Sequence, residues 1–268
     1  MHLKNLRAMN KIKNFIIIIL LVAMHKSYAQ HTRFVTQGTI EFEKRINSFA
    51  LIKKQMELWG NSDNIFSKTF VENYQKNNPQ FKLQKSKLTF ANNKTLFTPI
   101  EDAVASNGFL DLIQFQQNNT ILTKVNEGTS TILKKVYEQN YLINDSTRKI
   151  NWKITDEFRD IAGYNCRRAN ALIMDSVYVV AFYTDEIAVS GGPEGFSGLP
   201  GMILGVALPY EHVTWFATSV NDQPITDDKL KAPTKGKAVN HKQLYDILKE
   251  AFKSWGKTAN ENYKWFTL

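Results

Sequence analysis

The feature that most constrains what this chain can fold into is the stretch Gly191-Gly192-Pro193-Glu194-Gly195-Phe196-Ser197-Gly198-Leu199-Pro200-Gly201-Met202-Ile203-Leu204. It holds five of the thirteen glycines and two of the seven prolines. Glycine admits positive φ and proline locks φ near one value, so this density dictates an irregular but specific backbone path. Val177 to Tyr183, just before it, is an almost wholly apolar run that reads as a strand buried on both faces. Met202 to Leu208, just after it, is a second such run and is stopped by Pro209. The stretch therefore reads as a rigid connection between two core strands, with Glu194, Phe196 and Leu199 as its most exposed side chains.

The remaining elements follow from periodicity. Gly38 to Ile46 alternates apolar and polar residues: Ile40, Phe42 and, after three charged residues and a slip, Ile46. Phe49, Ile52, Met56 and Trp59 fall at helical spacing, with Gly60 to end the helix. A second helix carries Phe66, Phe70 and Tyr74 as a core stripe, capped by Ser62 or Asp63 and stopped before Pro79. From Phe81 to Ile154 the chain reads as short strands parted by Asn, Gly, Asp and charged residues, with Phe81–Leu83 and Leu88–Phe90 as separate strands and residues 101–112 as a loop or short helix. No helix fits the gaps between strands, so the sheet is antiparallel. His212 to Val220 is a further strand, and residues 221–239 form a polar linker. Asn240 and Gln243 then make a capping box for a helix whose apolar stripe runs from Leu244 to Trp255, with Gly256 closing it. The tail keeps Tyr263, Trp265 and Phe266, so it docks. The expected architecture is α+β: a mainly antiparallel, curved β-sheet of half-barrel type with two N-terminal helices and one C-terminal amphipathic helix.

Known chemistries fit the chain poorly. The Ser197 surroundings lack the glycine spacing of a nucleophile elbow. The Gly-rich stretch contains no Lys, which a phosphate loop requires. His31, His212 and His241 are far apart, so no metal and no cofactor is expected. Cys166 is alone and has no nearby His, which makes it a buried inert thiol. Gly163 supplies a turn, after which Tyr164, Cys166 and Arg168 fall on one side of a strand and Arg167 and Ala169 on the other. The two arginines are expected to pair with Asp156, Glu157 or Asp160. Asp185, Glu186 and Glu194 flank the Gly-Pro stretch and could converge as the carboxylates of a hydrolase; the plainer role for Glu194 is to accept hydrogen bonds from loop amides.

Gly198-Leu199-Pro200-Gly201-Met202-Ile203 resembles the signature of the GLPGLI family, exported proteins found mainly in Bacteroidota, with Met where the name has Leu. Two further segments are similar to that family. Trp152 to Glu157 followed by Ile161-Ala162-Gly163-Tyr164-Asn165-Cys166 matches its tryptophan strand and Ile-x-Gly-Tyr-x-Cys run, and Tyr183-Thr184 to Ile187 its Tyr-Thr-x-x-Ile. The resemblance is dense from Trp152 to Val220 and carries no catalytic mechanism. It implies a signature built by Gly191, Gly192, Pro193, Gly198, Gly201, Gly163 and Cys166, and marks Asp185, Glu186, Glu194, Phe196, Leu199 and Pro200 as the candidate binding surface.

Location is read from the N-terminus. Lys4, Arg7, Lys11 and Lys13 precede an apolar run from Phe15 to Met24, and Ser27-Tyr28-Ala29 offers a small-x-small site. That is a signal peptide over residues 1–29, with Met1 or Met9 as start and Gln30 as the mature N-terminus, leaving residues 30–268 as one domain in the periplasm. The signal carries five of the nine net positive charges, so the mature chain is only mildly basic and needs no nucleic-acid partner. Expected partners are an envelope protein, a peptide or a lipid, with peripheral membrane contact through the basic C-terminal helix. Asp145-Ser146 and Asp175-Ser176 resemble acceptors for O-glycosylation of exported proteins.

Overall fold

A computed structural model of the chain describes residues 34–60, 64–100, 113–116 and 119–268. The expected signal at 1–29, the helix caps Ser62 and Asp63, and the loop or helix at 101–112 lie outside the described residues. Among the described residues twelve strands form one sheet: β1 (Gly38–Asn47), β2 (Phe81–Ala91), β3 (Lys94–Pro99), β4 (Thr120–Lys124), β5 (Thr129–Val136), β6 (Gln139–Ser146), β7 (Lys153–Ile161), β8 (Tyr164–Ile173), β9 (Val177–Thr184), β10 (Met202–Leu208), β11 (Val213–Asn221) and β12 (Lys237–Val239). Their order is β12-β6-β5-β4-β3-β2-β1-β11-β10-β9-β8-β7. Every pairing is antiparallel except that of β12 with β6. Sequence neighbours pair as two meanders, β2 to β6 and β7 to β11, and β1 joins them by pairing with both β2 and β11.

Five α-helices accompany the sheet among the described residues: α1 (Ser48–Leu58), α2 (Ile65–Asn77), the single turn α3 (Ile113–Gln116), α4 (His241–Ala251) and α5 (Lys257–Thr267). Asn47 caps α1, and Asn64, not the expected Ser62 or Asp63, caps α2, each accepting an amide hydrogen bond on its side chain. Asn240 and Gln243 make the expected capping box on α4. No described helix is long and apolar enough to cross a membrane.

The differences from the sequence reading have local causes. In β1 there is no slip on the inner face: Ile40, Phe42, Lys44 and Ile46 are all buried at strict two-residue spacing, so a lysine occupies a core position. Phe81–Leu83 and Leu88–Phe90 belong to one strand, because Lys85 and Lys87 point outward without interrupting the ladder. The acidic turn after Ile154 is part of β7, whose register shifts between Ile154 and Phe158. β8 pairs with β9 in unbroken register from Arg167 to Ile173, so Cys166 and Arg168 lie on one face and Arg167 and Ala169 on the other, as expected, and Cys166 and Ala169 are buried on opposite faces. Arg167 bonds Asp156 at 2.7 Å and Arg168 bonds Glu157 at 2.6 Å, the pairing expected of them. Phe66 is 76% exposed, so the stripe on α2 packs only through Phe70 and Tyr74. The linker contains β12 and closes the β6 edge. α4 ends at Ala251, not Gly256, and the docked tail is a helix that buries Trp265 and Phe266.

Candidate functional site

The Gly-Pro stretch leaves the sheet after Thr184 and returns at Met202. It is pinned at both ends and in the middle. Val35 and Ile187 form a β-bridge; the Ile203 amide donates to the Gly191 carbonyl at 2.7 Å and the Gly201 amide to the Leu199 carbonyl at 2.8 Å. The Trp152 indole donates to the Ser197 carbonyl at 2.9 Å, and the Gly198 amide to the Ser190 hydroxyl at 3.1 Å. Gly201 has φ of +145°, and a Cβ there would lie 2.1 Å from the Thr184 carbonyl oxygen, so no other residue fits without moving the strand. A Cβ on Gly191 would lie 2.6 Å from the Thr95 methyl of β3, and one on Gly195 would touch Ile121 of β4 at 3.6 Å. Strand β10 is five positions from β4, about 24 Å along a flat sheet. The loop bridges that distance across the interior, which the curvature of the sheet makes short.

This geometry inverts the expected exposure. Phe196 and Leu199 are only 5% and 2% exposed and belong to the core, because the loop packs onto the sheet instead of standing away from it. Gly191, Gly192 and Pro193 are buried beneath them, whereas Gly198, Pro200 and Asp185 face solvent. Gly163 sits with Ala162 in the tight β7–β8 turn, both at positive φ. Burial pushes the Cys166 thiol up to about 12, with Asp160 and Glu186 adding to the effect, so the thiolate is suppressed.

Glu194 is the polar centre of the loop. It adopts φ of +51°, a left-handed conformation that costs a non-glycine residue of order 1 kcal/mol. Among the described residues no loop amide donates to it. Its Oε2 accepts from Asn119 Nδ2 at 2.8 Å, and its charge acts on two lysines that project inward from the sheet. Lys44 of β1 donates to the Gln114 carbonyl at 3.0 Å, and Lys134 of β5 to the Phe266 carbonyl at 2.9 Å. Both are 4% exposed. Burial lowers Lys44 against the opposing pull of Glu194. It lowers Lys134 to about 8, with Arg148 and Lys44 pushing the same way and Glu194 opposing. Arg148 donates to the Thr267 carbonyl, and burial lowers it too.

The other two carboxylates do not join this group. Asp185 is exposed, and the charge of Glu186 acts on Tyr164 and Cys166. No cluster of three or more His, Cys, Asp and Glu that could hold a metal occurs among the described residues.

Three spaces adjoin the loop. A water-sized cavity of about 10 Å³ lies between Glu194, Asn119, Lys44, Gln84, Ser86 and Trp215. Gln84 Oε1, Ser86 Oγ and Trp215 Nε1 are buried around it without a hydrogen-bond partner among the described residues. A second space, about 50 Å³, has Glu194, Phe196, Arg148 and His241 in its wall. The third, about 280 Å³, opens beside it along Thr147, Arg148, Lys149, Ser190 and Ser197. Lys44 and Lys134 were legible as candidates: each interrupts an apolar i, i+2 series, Phe42-Lys44-Ile46 and Ile132-Lys134-Val136. Nothing in the sequence marks Asn119, which reaches Glu194 only through the fold.

Fold and site together define an open antiparallel sheet curved around a polar, cation-rich interior that a Gly-Pro loop covers. Residues 172–205, which span β9, the loop and the start of β10, match the model of a family described as "Protein of unknown function (Porph_ging)". No curated protein matches the chain. Among solved structures it is similar to PNGF-II in a C2 crystal form, with a TM-score of 0.50 and 14% identity over 82% of this chain. The P21 form of PNGF-II gives 0.49 and 15% over 83%. The chain spans about a third of the length of those structures, 33% and 34%. The first of these likenesses is one of fold.

Proposed function

We propose that this chain is an exported envelope protein of the GLPGLI type that binds a small polar ligand in the sheet interior, beneath the Gly-Pro loop, without chemical turnover. The observation that carries the reading is the charge balance of that interior. Lys44, Lys134 and Arg148 are withdrawn from water, and among the described residues Glu194 is the carboxylate whose charge acts on the two lysines. Buried charge without a partner costs several kcal/mol, and unpartnered polar atoms at Gln84, Ser86 and Trp215 add to that cost. Such a cost is retained where a ligand offsets it. Two-carboxylate glycoside hydrolysis needs its acids about 5–9.5 Å apart across the bond; with Asp185 exposed and Glu186 acting on different neighbours, neither of the expected acids joins Glu194. The match of residues 172–205 to a Porph_ging model supports family membership, and the basic, apolar, small-residue order of residues 4–29 supports export.

Native mass spectrometry of the protein purified from its own envelope tests this. A non-covalently held small molecule is expected on a mature chain that begins at Gln30, and it is lost in Asn119→Ala with the fold intact. An empty protein, or a ligand retained in full by that variant, would refute the reading.

A further inference from the structure

The space of about 280 Å³ beside the loop has a distinctive wall. Arg148, Lys149, Thr123, Thr147, Ser190 and Ser197 line it beside the apolar Val125 and Ile150, and among the described residues no carboxylate does. Arg148 also lines the neighbouring space that contains Glu194 and His241, so the two meet at its side chain. The Thr267 carbonyl is the one hydrogen-bond acceptor of Arg148 among the described residues. A guanidinium carries five N–H donors, so its fork retains capacity for a ligand. Asp145, three residues earlier, is committed elsewhere: it accepts the His241 amide at 2.9 Å and the Ser146 amide at 2.7 Å. Lys134 lies close enough to Arg148 for their charges to repel. Positive charge in a concave, partly dry site focuses an attractive field on anions.

We infer that this space takes a small hydroxylated anion, its carboxylate or phosphate held by Arg148 and Lys149 and its hydroxyls by Thr147, Ser190 and Ser197. A planar guanidinium fork matches both oxyanions bidentately, and a neighbouring ammonium adds a point charge. Side-chain hydroxyls donate and accept, which suits a polyol. The volume falls just below the range of about 300–1,000 Å³ that holds drug-sized ligands, so the occupant is of monosaccharide size. This inference rests on the binding function proposed above and names its ligand class.

Isothermal titration calorimetry of the mature protein, freed of phosphate, separates the alternatives. The titrants are inorganic phosphate, glucuronate and, as neutral control, glucose. Glucuronate or phosphate is expected to bind at least about tenfold more tightly than glucose, the worth of one charge-assisted hydrogen bond. Binding by phosphate alone assigns a phosphate ligand, and binding by glucuronate alone assigns a sugar acid. Raising salt from 50 to 200 mM weakens either. Lys149→Met, whose side chain is exposed, is expected to weaken the anion several-fold without moving the melting temperature. Arg148→Lys keeps the charge, loses the fork and weakens it about tenfold. Anion affinities unchanged in both variants, glucose binding as tightly as glucuronate, or no anion binding at all would overturn the inference. A neutral molecule found on the native protein and lost in Asn119→Ala removes the anion class while leaving the binding function standing. An empty native protein removes both.

Discussion

Replacing Lys134 by Met turns the charged interior into a measurement. Lys134 is 4% exposed, and its folded-state value of about 8 lies below the ordinary 10.5. The unfolded chain therefore holds the extra proton between about pH 8 and 10.5, and native stability rises with pH across that window. At about pH 7 the lysine is charged in both states, and the depressed value corresponds to a cost of about 3 kcal/mol. Methionine removes the cost, fills similar volume and forfeits the hydrogen bond to the Phe266 carbonyl, worth about 1 kcal/mol. The variant should therefore be more stable than the parent by about 2 kcal/mol at pH 7 and less stable by about 1 kcal/mol above pH 10.5. Urea denaturation of both proteins across this range, read by linear extrapolation, gives the difference directly. The other titrating groups are common to both proteins and largely cancel. A stability difference that stays flat from pH 7 to 11 would refute the buried-charge argument, whatever its sign.

Three further outcomes follow from the geometry. Gly201→Ala places a methyl 2.1 Å from the Thr184 carbonyl at φ of +145°, and a loss of at least about 2 kcal/mol is expected in chemical denaturation. Trp152→Phe keeps the ring and loses the hydrogen bond to the Ser197 carbonyl, which should cost about 1 kcal/mol and speed proteolysis between Ser190 and Gly201. Glu211, 5% exposed at its side chain, accepts from Lys264 at 2.7 Å and Lys54 at 3.0 Å; Glu211→Gln should cost about 3 kcal/mol near neutral pH. Although burial alone would raise its carboxyl, the two lysines hold it below the ordinary 4.5; its contribution is full above that value and fades as acid protonates the native form, so the gap between parent and variant narrows as the pH falls below 4.5.

The strands flanking the Gly-Pro stretch were legible because period and composition are local properties. An apolar run such as Val177–Tyr183 can be satisfied only by burial on both faces. The same holds for the Asn240 capping box and for the pairing of Arg167 and Arg168 with acids on the adjoining strand. The site was legible only in part. Glu194 stood out within the glycine-rich run, but its role depends on Asn119, seventy-five residues away, and on lysines from two non-adjacent strands. Phe196 and Leu199 looked like presented side chains because a Gly-Pro loop is ordinarily a surface feature; a curved sheet made them core.

By itself the amino-acid order determined most of the strands, the capping box of α4 and that the stretch from Gly191 to Gly201 follows one rigid path. Those follow from backbone sterics and short-range hydrophobic patterning. Only the tertiary structure decided that the loop turns inward, that the charge of Glu194 acts on two buried lysines and that a polar space remains under it. Those depend on sheet curvature, which brings β4 and β10 together from five strands apart. Curvature is a sum of small twists and register shifts over twelve strands, and no single stretch of the chain encodes it.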